Sequence, residues 1–158
     1  MLDRIDCAII RALQNNARIS NKALAEAVHL APSSCLERVR RLQSGGVLRG
    51  FHAELDPRAL GIGLQAMIAV QLVSHTRQDV RNFHDYVMTV PEVVAMYHVT
   101  GEKDFLVHVA VRDADHLRDM AMDAFTTRSE VARLETSLIY ERLAKPGLPI
   151  LVGEEEAE

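Results

Sequence analysis

With 158 residues, 48% of them hydrophobic and 25% charged, the chain has enough apolar mass for one or two small packed domains and lies outside the compositions of disordered, collagenous or disulfide-scaffold proteins. The 18 Lys plus Arg against 22 Asp plus Glu give a formal net charge of -4, which taken alone argues against a polyanionic partner. That charge is unevenly divided: residues 1–60 hold nine basic against six acidic side chains, and residues 61–158 hold nine against sixteen. One half suits a polyanion and the other suits something else.

No run of about 18 apolar residues occurs, and Met1 Leu2 Asp3 Arg4 Ile5 Asp6 alternates apolar with charged residues in place of a basic stretch and an apolar core. The expectation is a cytoplasmic, nucleoid-associated protein with no membrane partner. Cys7 and Cys35 lie in helix-like stretches without CxxC spacing, which excludes a zinc knuckle and makes a structural disulfide unexpected.

In chain order, residues 3–15 are predicted to form a helix, with Asp3 as N-cap, Asp6 at the third helical position and Ile5, Ile9, Ala12 and Leu13 at helical spacing. Ser20 can cap a second short helix whose apolar face is Leu24, Ala25 and Val28. After the turn His29 Leu30 Ala31, Pro32 opens a third helix that runs to about Ser44 and stops at Gly45 Gly46. Alternation from Val47 to His52 predicts a short wing strand, and Asp56 Pro57 and then Leu60 Gly61 Ile62 Gly63 read as break and linker.

The second half reads as strand 65–74, helix 76–89, strand 93–100, strand 104–112, helix 113–126 and strand 131–142. The predicted fold is therefore α+β: a winged helix-turn-helix domain over 1–60, a ferredoxin-like βαββαβ domain over 61–145, and a flexible acidic tail over 146–158. Two strands, Ala66 to Val70 and Phe105 to Val111, are apolar on both faces, yet two helices cover one face only. The same sheet of a second chain is the simplest cover, because closed two-fold pairing is the commonest oligomer.

Two helices joined by a short turn, the second carrying exposed Ser, Glu and Arg, fit the geometry in which the second helix enters a DNA major groove. Ser33, Ser34, Glu37 and Arg38 lie in its first turns and are candidates for base edges, while Arg40, Arg41, Ser20, Asn21 and Lys22 are candidates for phosphates. His98 and His108 face each other in the predicted hairpin but lack acidic or cysteine partners, so they read as sheet residues and no metal is expected. Cys35, at a helix N-terminal turn near arginines, reads as core ahead of a redox-responsive thiol.

The blocks Leu2 Asp3 Arg4 Ile5 Asp6, Ala17 Arg18 Ile19 Ser20 Asn21, Leu24 Ala25, Pro32 to Leu42 and Gly46 to Gly50 closely resemble the Lrp/AsnC (feast/famine) transcriptional regulators. Val99 to Val107 resembles the turn between the middle strands of that family's amino-acid-binding domain, and Leu64 to Ile68 with Thr136 to Glu141 resembles the actinobacterial subgroup that controls alanine dehydrogenase. The resemblance implies dimers formed through the sheets, assembly into rings such as octamers, and a free amino acid bound between dimers. It places Thr100, Gly101, Glu102 and Asp104 in the effector pocket, where carboxylates can hold an α-ammonium and Gly101 lets backbone N–H groups approach an α-carboxylate. Lys103 departs from the family pattern by adding a cation to this turn.

The function expected is a non-enzymatic, sequence-specific regulator that binds double-stranded DNA and itself, uses no cofactor, and responds to an amino-acid effector. The alternative is an amino-acid-sensing module that acts on an enzyme without binding DNA. An RNA-binding sheet fits poorly, since only Tyr97 and Phe105 offer stacking surfaces on the middle strands.

Overall fold

The computed structural model describes residues 2–152 and divides into two compact units. Of the described residues, the first takes in 2–54 and 143–152; the second is Leu55–Arg142.

In the first unit, α1 (Arg4–Asn15), α2 (Asn21–Ala27) and α3 (Pro32–Ser44) start where the capping residues dictate. Asp3 and Asp6 form a reciprocal capping box on α1, and the Ser20 side chain accepts from the Ala23 N–H at 3.2 Å. Pro32 occupies the first turn of α3, where its missing N–H leaves no bond unmade. Ile9, Leu13, Leu24, Ala25, Val28, Cys35 and Leu42 form the buried core.

Both later helices end in the same motif. After α3, the Gly46 N–H donates to Gln43 O at 3.0 Å and the Val47 N–H to Leu42 O at 3.0 Å, with Gly46 at φ +72°. After α2, the His29 N–H donates to Glu26 O at 3.2 Å and the Leu30 N–H to Ala25 O at 2.9 Å, and His29 takes the left-handed position at φ +56°. This compact turn sets α3 against α2.

The wing strand expected at 47–52 does not form. The Leu48 N–H joins that of Val47 on the Leu42 carbonyl, so the chain stays on the helix end, and residues 49–56 adopt no regular structure. The segment expected to fray from 146 also differs: Gln14 Nε2 donates to Leu148 O at 3.2 Å and Gln14 Oε1 accepts from the Leu148 N–H at 2.6 Å. The tail glutamates lie outside the described residues.

The second unit opens with a 3-10 turn (Arg58–Leu60) and continues as β1 (Leu64–Leu72), α4 (Arg77–Val87), β2 (Val93–His98), β3 (Phe105–Val111), α5 (Ala114–Ala121) and β4 (Val131–Leu138). The sheet order β2-β3-β1-β4 is antiparallel throughout, the ferredoxin-like arrangement expected. Thr76 and Asp113 cap the helices, accepting from the Asp79 and His116 N–H groups. The strands are one to four residues shorter than predicted, and the second helix passes into a π-turn at Met122–Thr126. Gly63 is set by close approach, because a Cβ there would meet Arg112 O at 2.3 Å.

Ala66, Ile68, Val70 and Leu72 of β1 and Phe105, Val107, Val109 and Val111 of β3 face the helices and pack with Phe83, Val87, Leu117, Met120 and Phe125. The other face is less apolar than the two runs imply. Across its middle, Tyr97, Leu106, Ala69 and Glu135 pair in one row, and Ala95, His108, Met67 and Ser137 in the next.

Candidate functional site

Ser33, Glu37, Arg40 and Ser44 are exposed and recur three to four residues apart, so they line one outward stripe of α3, opposite buried Cys35 and Leu42. Ser34 and Arg41 flank that stripe and are exposed, as are Ser20 and Lys22 at the start of α2. Asn21 serves the turn: its Nδ2 donates to Pro32 O at 2.8 Å and ties the beginning of α2 to that of α3.

The arginines of α3 divide. Arg38 Nη1 donates to Asp6 Oδ1 at 2.9 Å and also to Asp3 Oδ2, while Arg41 Nη2 reaches the two Asp6 oxygens at 2.9 and 2.8 Å. Asp6 is 1% exposed, and these bonds, with one from the Asp3 N–H at 3.2 Å, are what permit a carboxylate to be buried there. The Arg38 hydrogen bond, backed by that from the Asp6 N–H, holds the Asp3 carboxyl below its usual range, and Asp3 and Asp6 in turn raise the guanidinium of Arg38. Arg38, assigned to a base edge from its early position in the helix, is thus directed at α1, and Arg40, assigned to phosphate, stands on the outward stripe. Neither Asp3 nor Asp6 was recognised from sequence as more than a helix cap, because their partners lie 32 to 35 residues away.

The four residues placed in an effector pocket all lie on the β2–β3 turn, but they do not converge. Thr100, Gly101 and Glu102 are exposed, with Gly101 at φ +116°. Asp104 turns toward β1: its Oδ2 accepts from the Leu72 N–H at 2.7 Å and its Oδ1 lies 2.9 Å from His75 Nδ1. The β1–β3 pairing ends at Val70 and Phe105, so this carboxylate receives an N–H of β1 just beyond the end of that ladder. Lys103 lies against β4 with Nζ 2.7 Å from Glu135 Oε1 and 3.4 Å from Glu102 Oε1. Glu135 raises the lysine and is itself lowered by it, so the added cation is neutralised within the sheet. Beside the turn, an open groove of about 560 Å³ is bounded by Arg77, Arg81 and His84 of α4, with His98 and Phe105 from the two strands. The i, i+4 spacing of Arg77 and Arg81 is the sequence signal that pointed to it and went unread.

His98 and His108 do not meet. His98 pairs with Phe105, on which its ring stacks at 4.7 Å, whereas His108 pairs with Ala95 on the opposite face and is held by Gln65 at 2.8 Å. Among the described residues no group of three or more His, Cys, Asp or Glu side chains is placed to hold a metal. Burial pushes the Cys35 thiol up, which fits a core residue.

Residues 2–43 match the AsnC-type helix-turn-helix domain and residues 65–148 match the Lrp/AsnC ligand binding domain. The chain is 49% identical over 142 residues to the HTH-type transcriptional regulator AldR of Mycolicibacterium smegmatis, covering 90% of this chain and 83% of that one. The AldR of Mycobacterium tuberculosis is 43% identical over the same length, covering 90% and 79%. Among solved structures, a transcriptional regulator of Neisseria meningitidis in complex with L-Met superposes with a TM-score of 0.84 at 30% identity, covering 92% of this chain and 94% of that one. The crystal structure of the M. tuberculosis AldR gives a TM-score of 0.76 at 36% identity, covering 94% and 100%.

Proposed function

The chain belongs to the Lrp/AsnC family of transcriptional regulators, built from a helix-turn-helix DNA-binding domain and a ligand-binding domain, and from that premise we propose that it is a sequence-specific regulator whose DNA affinity or assembly responds to an amino acid. The observation that carries the DNA reading is the outward stripe of α3, where Ser33, Glu37 and Arg40 present base-reading chemistry on a helix held by the compact turn at His29. Arg40 is the base-edge candidate, and Ser20, Lys22 and Ser34 are placed for phosphates, while Arg41 is engaged by Asp6.

On this reading the effector site lies at the β2–β3 turn. Glu102, exposed and only loosely paired with Lys103 and Arg133, offers a carboxylate to an α-ammonium, the backbone around Gly101 suits an α-carboxylate, and Arg77 and Arg81 in the adjoining groove supply cations for the same group. The amino acid bound to the Neisseria relative supports the ligand class. Asp104, engaged with β1, shapes the turn and is not assigned to ligand contact. The open sheet face with Tyr97, Leu106 and Met67 is the surface for a second copy, and a dimer so formed would carry two α3 helices, one for each half-site of an operator. Regulators of this class are not enzymes.

Light scattering of the full chain, with and without each of a panel of amino acids, tests the response. The expected result is a dimer or larger species whose mass or operator affinity shifts with a subset of the panel. A monomer at micromolar concentration, indifferent to every amino acid in both mass and DNA affinity, would reject it.

A further inference from the structure

The recognition helix carries three arginines, and two of them, Arg38 and Arg41, are bound to the carboxylates of Asp6 in α1 and of its N-cap Asp3. Asp6 is enclosed and serves as the hub, whereas Asp3 has half of its side chain exposed. Asp3 acts twice: Oδ1 accepts the Asp6 N–H at 2.7 Å to cap α1, and Oδ2 takes Arg38. A guanidinium meets a carboxylate and a phosphate with the same planar fork, so the two acids occupy donors that would otherwise be offered to any duplex backbone.

Contacts to phosphate raise affinity for every sequence alike, while contacts to base edges separate one sequence from another. A regulator that withdraws cations from its DNA-facing helix therefore lowers its background binding and leaves base readout, here Ser33, Glu37 and Arg40, intact. We propose that Asp3 and Asp6 are specificity-determining residues: they position Arg38 and Arg41 on α1 and withhold Arg38 from sequence-independent phosphate contact. This inference rests on the DNA-binding reading above.

Asp3→Asn isolates the charge, because asparagine caps a helix as well as aspartate does; Asp3→Ser repeats the test with a second neutral cap. Fluorescence anisotropy of each full-length variant with an operator duplex and a scrambled duplex, over a salt series, reads the outcome, and circular dichroism confirms that the helices persist. Both variants are expected to bind the scrambled duplex at least about threefold tighter than the parent, with a log–log salt slope steeper by about 0.9 per protomer, the increment of one added phosphate contact. The ratio of operator to scrambled affinity is expected to fall. Adding Arg38→Ala to Asp3→Asn is expected to abolish the gain.

An unchanged scrambled affinity and slope in both folded variants would overturn the proposal. So would a gain that persists without Arg38, since that is a general effect of net charge. A parent chain that prefers no duplex would instead overturn the regulator reading, and the two failures are thereby distinct.

Discussion

Arg40 illustrates how one residue's role depends on which side of a helix it occupies. It follows Arg38 by two positions and precedes Arg41 by one, and nothing in the sequence ranks the three. The fold does: Arg38 and Arg41 face Asp6, and Arg40 shares the outward stripe with Ser33 and Glu37. Arg40→Ala is expected to cost about 1–3 kcal/mol of operator affinity and to relax preference at one base position, with little loss on scrambled duplex. Arg41→Ala is expected to destabilise the fold, because it leaves buried Asp6 short of a partner. Competition binding and thermal unfolding of both variants check the division, and a loss from Arg40→Ala that is uniform across sequences would return Arg40 to the phosphate class.

A second residue ties stability to pH. His108 is 7% exposed on the open sheet face, where burial first, and then the positive charge of Arg142, push its pKa below the ordinary 6.5. The unfolded chain then takes up the proton more readily than the folded one. The stability conferred by the neutral ring is thus complete above the unfolded value and is lost as pH falls through the lower folded one. His108→Gln removes this titration, so its unfolding midpoint is expected to change less than the parent's between about pH 7.5 and 5.5. Equal changes in the two proteins would show that His108 does not carry the dependence.

Among the elements, those with local signals were legible from sequence and those with distant partners were not. The starts of α1, α2 and α3 follow from Asp3, Ser20 and Pro32, and the end of α3 follows from Gly46, all within a few residues of the feature they set. The wing strand was inferred from alternation over Val47 to His52, but alternation makes a strand only where a partner exists, and the Leu42 carbonyl holds the first two N–H groups instead. Asp104 was placed in the effector pocket by resemblance to the family; the partner its Oδ2 takes, the Leu72 N–H, lies 32 residues away on β1, beyond any local reading. Gln14 and Leu148 form a reciprocal amide pair across 134 residues, which no local reading of the tail reveals.

The turn after α2 yields a prediction at this scale. His29 holds the left-handed position that glycine fills after α3. Left-handed backbone costs a residue with a Cβ about 1–2 kcal/mol, part of which glycine gives back through the greater freedom of its unfolded chain. His29→Gly is therefore expected to stabilise the first unit by about 0.5–1 kcal/mol and to raise its unfolding midpoint. A lower midpoint would mean that the imidazole, which is exposed, supports the turn by contacts that outweigh the strain.

At the scale of the whole molecule, the division of charge seen in composition coincides with the division into matched domains. The basic residues of the first half lie in the matched helix-turn-helix region and beyond it, and the acidic excess of the second lies in the ligand-binding region and the tail. The sheet topology was recoverable from the order of elements, because βαββαβ with short connections permits few arrangements. The open sheet face was harder to judge. Gln65, Gln71, Arg133, Glu135 and Ser137 interrupt the apolar runs there once strands are placed side by side, so a partner copy would meet a mixed surface with an apolar centre.

The central claim is that the chain reads a DNA sequence. The most direct test is anisotropy of the parent protein with a duplex from upstream of its own gene and with a scrambled duplex, over salt from about 50 to 200 mM, where phosphate-driven binding weakens steeply. The account predicts tighter binding to the genomic duplex, with a preference that persists as salt rises and the scrambled complex dissociates. Equal binding to the two duplexes at every salt concentration, or binding to neither at the lowest, would contradict it.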